Sequence, residues 1–488
     1  MLTPETAWEP LPEEEWTVET ARHLAIRLGF SLNPALVKQV YEWGPEGSLG
    51  KLLGKIEPFT DRGEVTEMRT SIGARYKELQ GSSPQEKREM RQELQWENRQ
   101  TYAQYGLDWY AFAREPGNSA QEKLVLFFQD VWVVAFAGVR RTPTLMEYQE
   151  RIRRNLGKTY PEMCRDLAVS PAMMRYLNLN QSRKGSPNEN FARELLELFC
   201  LGEGNYTEQD IKEAARAMTG WTVNQMDEVR FIRQRHDTTP KTIFGETGAF
   251  ELDDVIELVF KQPAAAEFLP NELARYYLTE DGLGSRMLKP LAEAWRASGY
   301  SLPYLVMTFF RSRVFYEPGF RGNMIKSPVQ YYLGLLQDLD LDVFPSPRRT
   351  NNILRTMGQP FYNPPNVRGW VGGRNWINSA TLAARRQFVE SLLRPLPTDR
   401  LNADEKQALA EAEKEGRARF TVIREQLLKL AEMEPGDLAE TLAHRFHVTP
   451  QPETLLPMFL ELQTNQGGYR WAAACLAATL TAPPYHLC

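Results

Sequence analysis

Residues 186–221 read SPNENFARELLELFCLGEGNYTEQDIKEAARAMTGW, and their grammar is helical throughout. Ser186 is read as an N-cap, with Pro187 at the first helical position and Glu189 three residues on, the pattern of a capping box. That helix is expected to run to about Leu201 and stop at Gly202. A second one should begin at Thr207, with Asp210 as its reciprocal carboxylate, and end near Gly220. Phe191, Leu195, Leu198 and Phe199 make the apolar face of the first helix. Asn190, Glu194 and Glu197 fall at i, i+4 and i+7 and make a polar stripe, with Glu189 and Arg193 as an i,i+4 pair. Two carboxylates at that spacing can share a cation or divide into an acid and a base. The plainer reading is a solvated stripe.

Upstream, helices are expected over Thr17–Gly29 and over Asn33–Trp43, the latter capped by Asn33 with Pro34 behind it. The segment from Pro84 to Tyr105 is highly charged and poor in apolar positions, and reads as a solvated helical arm inserted into the chain. Leu124–Val139 is the most apolar stretch. It is 16 residues long and carries Gln129 and Asp130, too short and too polar for a membrane span, so it reads as a buried core helix. Strand signals are rare, and segments near Glu228–Phe231 and Lys241–Phe244 suggest at most one small β-hairpin. The fold class expected is therefore mainly α, a multi-helix globular body with a protruding charged helical arm. The division expected is N-terminal helices over 1–60, the charged insertion over 61–119, a core over 120–395, and a C-terminal helical segment over 396–488 after the linker LRPLPTDR.

The chain of 488 residues carries 58 Lys and Arg against 63 Asp and Glu, a net charge of −5. That balance supplies no overall basic face, so no nucleic-acid partner is expected. Four widely spaced cysteines form no CxxC or CxxH pair, which argues against a structural zinc site and for free, mostly buried thiols. The opening MLTPETAWEPLPEEEW has no basic and then apolar run. With no signal peptide and no membrane span read, a soluble, cytoplasmic protein is expected.

Two further strings are candidates for chemistry. His236-Asp237-Thr238-Thr239-Pro240-Lys241 gathers a ligand, its orienter and an anion anchor in one turn, or else is a hydrogen-bonded turn. GQPFYNPPNVRGWVGGRNWINSATLAARR, from Gly358 to Arg386, reads as a long ordered loop leading into a helix capped near Asn378 or Ser379. In it Trp370 and Trp376 flank Arg374, an arrangement that can clamp an anion or a planar ligand, or else anchor the loop. Its glycines match no nucleotide fingerprint.

Taken together, NENFARELLELFCLG…YTEQDIKEAARAMTGW, HDTTPKTIFG, IKSPVQ at Ile325–Gln330 and GQPFYNPPNVRGW resemble the signatures of the family catalogued as domain of unknown function 1800. ARHLAIRLGFSLNP near the start and TAPPYHLC at the finish are similar to the family's ends. The resemblance covers most of the chain outside the charged arm. It implies a large helical bacterial protein with no assigned reaction. It also implies a gene neighbourhood shared with the domain of unknown function 1501 family, whose members look like phosphatase- or sulfatase-fold proteins. Many relatives resemble FWHxHF where this chain reads Phe127-Phe128-Gln129-Asp130-Val131-Trp132, so both histidines are missing. A divalent metal, if any, would rest on an oxygen-rich set including Asp130 and Asp237.

Two functional expectations follow. One is a binding or assembly partner of a phosphatase- or sulfatase-fold protein. The alternative is a metal- or anion-dependent hydrolase or transferase. It would use Glu194, Glu197, His236 and Lys241 for catalysis, with Asn188, Asn190, Arg193, Arg374, Trp370 and Trp376 as ligand-binding residues. A purely structural role for all these strings is the third reading.

Overall fold

The computed structural model describes residues 2–60, 63–396, 398–417 and 419–488. The expected start of the charged insertion at Asp61 and Arg62, and Pro397 of the expected linker, lie outside the described residues. The chain is mainly α. Helix α1 (Val18–Leu28) is capped by the Thr17 hydroxyl, and α2 (Pro34–Leu53) by Asn33, whose Oδ1 accepts from the backbone N–H groups of Ala35 and Leu36. Helix α2 breaks at Gly44, which takes φ 70°, so its regular first part ends where the sequence places it, at Trp43.

Helices α3 (Glu64–Gly81) and α4 (Pro84–Arg114) follow as a charged pair tied by Arg75 and Glu97. The first half of α4 is largely exposed, Trp96 included. From Asn98 onward the same helix enters the body and buries Tyr105, Trp109 and Tyr110. Helix α5 (Pro116–Val131) starts immediately after and stops earlier than the apolar run suggests. The chain leaves the helix at Trp132, whose ring stacks on Phe199 at 4.3 Å and whose Nε1 donates to the Tyr160 hydroxyl. A buried ion pair locks this layer: Arg153 meets both oxygens of Glu122 at 2.9 and 2.7 Å, and Trp109 Nε1 donates to the same carboxylate. The paired geometry is what makes two buried charges tolerable.

The central motif forms α6 (Glu189–Glu194), continued by a π-helical turn over Leu195–Leu201, and then α7 (Glu208–Ala217). Two small antiparallel hairpins follow, β1 (Trp221–Val223) with β2 (Val229–Phe231) and β3 (Lys241–Ile243) with β4 (Glu246–Gly248). The single hairpin expected from the sequence is therefore corrected. Both segments are strands, but each folds back on its own neighbour. Phe244 and Gly245 both take positive φ, the two-residue loop that returns β3 directly onto β4.

Helix α8 (Pro263–Tyr277) leads to α9 (Pro328–Asp338), of which every residue is buried. This is the axis of the core. A Cβ at Gly334 would stand 2.3 Å from the Phe30 carbonyl oxygen, so only glycine lets α9 pass the α1–α2 junction. Lys123 crosses from α5 to donate to the carbonyls of Ile26 and Gly29, closing the C-terminal end of α1 with a cation. Helix α10 (Ser379–Leu392), capped by Asn378, then α11 (Pro452–Asn465) and α12 (Gly468–Thr481) lie toward the C-terminus. Apolar residues from Ala7 to Cys488 join one continuous hydrophobic cluster. All four cysteines are unpaired and buried, with the Cys164 and Cys200 sulfurs 3.8 Å apart. Among the described residues no helix is long and apolar enough to cross a membrane.

Candidate functional site

The start of α6 differs from its sequence reading. Ser186 and Arg183 exchange backbone hydrogen bonds around Gly185, a tight turn at φ 82°. That pairing holds Ser186 outside the helix, so Asn188 is the N-cap, its Oδ1 accepting from the Asn190 backbone N–H at 3.0 Å. The helix then widens into the π turn, a form often found where side chains must be re-aimed, and Gly202 ends it at φ 79°. Asn190 Nδ2 donates to the Leu177 carbonyl, and Arg193 grips both oxygens of Glu208 on α7 at 2.8 Å. Arg193 thus ties α6 to α7, Asn190 ties α6 to the preceding segment, and Asn188 caps α6.

The loop before α10 comes back to the far end of that motif. Arg368 Nη2 meets Glu197 Oε1 at 2.8 Å, and its Nη1 meets Glu203 at 2.7 Å. Tyr206 donates its hydroxyl to the other oxygen of Glu197. Two residues on, the Trp370 backbone N–H donates to Asp130 Oδ1 at 3.0 Å. Gly369 between them takes φ 77° with Asp130 beneath it. One short stretch of the loop thus holds Asp130 through Trp370 and Glu197 through Arg368, and Glu194 feels the Glu197 and Arg368 charges. Sequence reasoning missed Arg368, Glu203, Tyr206 and Glu272. Arg368 lies inside the quoted GQPFYNPPNVRGW string and was legible there. Glu272, on an ordinary amphipathic stretch of α8, carries no signal.

Burial pushes the Asp130 carboxyl up to about 7; the Trp370 N–H opposes this and the Glu272 charge adds to it. Burial likewise raises Glu272, and raises Glu194 with help from the Glu197 charge. Asp130, a carboxyl that takes up a proton near neutrality, can exchange protons there. Gln129 Nε2 and Trp370 Nε1 are buried nearby in the chain without a hydrogen-bond partner.

The histidine turn is elsewhere. His236 Nδ1 is 3.0 Å from the Thr219 carbonyl, and its ring packs on Phe231. Asp237 accepts from Arg216 Nε at 2.9 Å and from Thr239, while Lys241 Nζ donates to the Asp237 carbonyl. Burial works to raise the Asp237 carboxyl, but Thr239 and Arg216 hold it well below the usual carboxylate range. Burial lowers Lys241, partly offset by the Asp237 charge. This turn sits beside Gly220 and Ser182, which contacts Asn188 at the opposite end of α6 from Glu197. Nine residues of helix separate those ends, roughly 13 Å at 1.5 Å per residue. His236, Asp237 and Lys241 do not share the Glu197 pocket.

Arg374 is exposed, and among the described residues it makes no ion pair and no cation–π contact with Trp370 or Trp376. Trp376 is buried, its carbonyl accepting from the Thr381 hydroxyl. The expected arginine–tryptophan clamp is not formed. Asp130 and Asp237 lie in the two separate places just described. Among the described residues no group of three or more His, Cys, Asp or Glu is placed to hold a metal ion.

A further concavity is lined by other residues, toward the C-terminus. It is a groove of about 1170 Å³ between α10, α11 and α12. Its floor is the half-exposed face of α12, with Ala473, Ala474, Ala477, Ala478 and Thr481 in one stripe. Thr454, Met458 and Leu462 of α11 and Gln466 just after it line one side, and Arg386 and Glu390 of α10 and Arg394 just after it line the other.

No curated protein and no solved structure matches the chain. The family model described as protein of unknown function (DUF1800) matches residues 23–487. That span takes in both ends of the motif, the loop contacts to Asp130 and Glu197, the histidine turn and the groove, and the chain belongs to this family.

Proposed function

We propose that this protein is a binding or assembly protein, and that its partner is a phosphatase- or sulfatase-fold protein of the domain of unknown function 1501 family. The observation that carries the reading is the groove between α10, α11 and α12, an open trough with an alanine floor. Small side chains let another backbone approach closely, and a trough walled by leucine and methionine suits an apolar anchor. The candidate catalytic side chains support the same reading from the other direction. His236, Asp237, Lys241 and Arg193 are each engaged within the fold. The choice of partner rests on the gene neighbourhood implied by the family resemblance. Sedimentation of a mixture of this protein with a member of that family from the same genome tests it. A heavier, stoichiometric complex is expected, and two independently sedimenting species would end the proposal.

A second reading is favoured by one observation, the Asp130 carboxyl raised to about 7 under Trp370 of the loop, two residues from the Arg368–Glu197 pair. An acid–base group poised near neutrality suits a hydrolase or transferase. Under that reading Asp130→Asn abolishes turnover of an ester substrate while leaving the fold intact, and unchanged turnover excludes it.

A further inference from the structure

The groove is asymmetric in charge, and that asymmetry specifies its occupant. On α10, Arg386 and Glu390 lie four residues apart, Arg394 follows just past the helix end, and all three line the trough. Glu390 pairs with Arg386 at 3.0 Å and with Arg394 at 3.5 Å, one carboxylate for two guanidiniums. Those arginine side chains are 73% and 75% exposed, so they are free to meet another charge. Arg470, at the start of α12, adds a third guanidinium at the rim. The opposite side, from α11, presents Leu455, Met458 and Leu462. Across the trough one edge is therefore rich in arginine, the floor is made of small residues, and the other edge is uncharged, Met458 and Leu462 alternating with Thr454 and Gln466.

Resting on the partner-binding reading above, we infer that the groove receives an amphipathic helix from the partner, apolar toward α11 and α12 and acidic along the edge facing Arg386 and Arg394. A helix placed along the floor can follow α12 for its 14 residues, about 21 Å at 1.5 Å per residue. Glutamates or aspartates at i, i+4 and i+7 of such a helix would meet the arginines with their fork geometry. Leucines at i+1, i+5 and i+8 would lie against Met458 and Leu462. Residues at the floor must pack against alanine, which places the two helix axes close together.

Two synthetic helical peptides of roughly four turns test this, alike in their leucine stripe and carrying either glutamate or lysine on the charged edge. With the full-length protein, the glutamate peptide is expected to bind at least about tenfold more tightly than the lysine peptide, and the preference should fade at high salt. Arg386→Glu with Arg394→Glu, both on exposed positions, should reverse the preference. Ala477→Trp, which fills the floor, should abolish binding of the glutamate peptide with the circular dichroism spectrum unchanged. Equal affinity for the two peptides, binding of neither, or binding indifferent to Ala477→Trp overturns the inference. So does concentration-dependent self-association that Ala477→Trp removes, because the occupant would then be a second copy. The phosphatase-fold protein is assayed alongside. If it binds both variants as it binds the wild type, the groove assignment falls while the partner reading stands. If the glutamate peptide behaves as expected and that protein does not bind at all, the groove assignment stands and the choice of partner falls.

Discussion

Gly369 stands directly over Asp130: a Cβ built on it would lie 2.3 Å from Asp130 Oδ1 and 3.0 Å from its carbonyl oxygen. The loop and the end of α5 therefore approach as closely as backbone and carboxylate can, and the Trp370 N–H bond depends on that approach. Gly369→Ala brings both this clash and the strain of φ 77°. A cost of roughly 1–3 kcal/mol is expected for a residue forced into that region, read as a shift in the urea midpoint. An unchanged midpoint would mean that the loop moves away freely.

Asp130 gives the molecule a pH dependence of definite sign. Its carboxyl is raised from the ordinary 3.8 to about 7, so the folded state binds the proton more tightly than the unfolded chain. The penalty is absent below the ordinary value and grows as pH rises toward 7. Glu272 and Glu194 are raised in the same direction. Asp130→Asn keeps the acceptor for the Trp370 N–H and removes the titration. The variant should show a shallower decline in stability between acid and neutral pH, the remainder coming from Glu272 and Glu194, measured by thermal melts across that range. Parallel profiles for variant and wild type would refute the assignment.

Lys123 is buried, and burial lowers its ammonium to about 7. Its Nζ serves the carbonyls of Ile26 and Gly29. Lys123→Met removes the charge but strands two buried acceptors, each worth about 1–3 kcal/mol when left unpaired. Net destabilisation at neutral pH is expected by chemical denaturation. A gain in stability would show that relief of the buried charge outweighs the lost bonds.

The turn at His236 should behave as a strut. Asp237→Ala removes one of the two carboxylates paired with Arg216, leaving Glu213, and removes the acceptor for Thr239. Stability should fall by about 1–3 kcal/mol, while affinity for the partner is unchanged. A variant that melts normally but no longer binds or acts would return this turn to the functional surface.

The sequence made much of this architecture legible, for local reasons. Thr17, Asn33, Thr207 with Asp210, and Asn378 cap their helices as their types demand. Ser186 did not, because Gly185 lets Arg183 pair across the turn and pulls Ser186 out of line. The π turn leaves no mark in residue type, since Leu195–Leu201 has the composition of any buried helix. Nor does residue type alone decide which strand pairs with which; the positive φ of Phe244 and Gly245 does. Under the loop, Asp130, Glu194, Glu197 and Trp370 were legible as polar or aromatic residues in otherwise well-patterned strings. The meeting of Asp130 with Trp370 and of Glu197 with Arg368 is between distant positions and no local pattern encodes it. His236 and Lys241 looked like chemistry because their types are rare or charged, yet their partners Thr219 and Asp237 show that they stitch a turn. The groove had no local signature, because it exists only where α10, α11 and α12 meet.

Calorimetric titration of the phosphatase-fold protein into wild type and into Ala477→Trp tests the central claim most directly. Saturable binding to the wild type and a loss of at least about tenfold in the variant, a difference of about 1.4 kcal/mol, is the predicted result. Equal heats and affinities for the two proteins would contradict it.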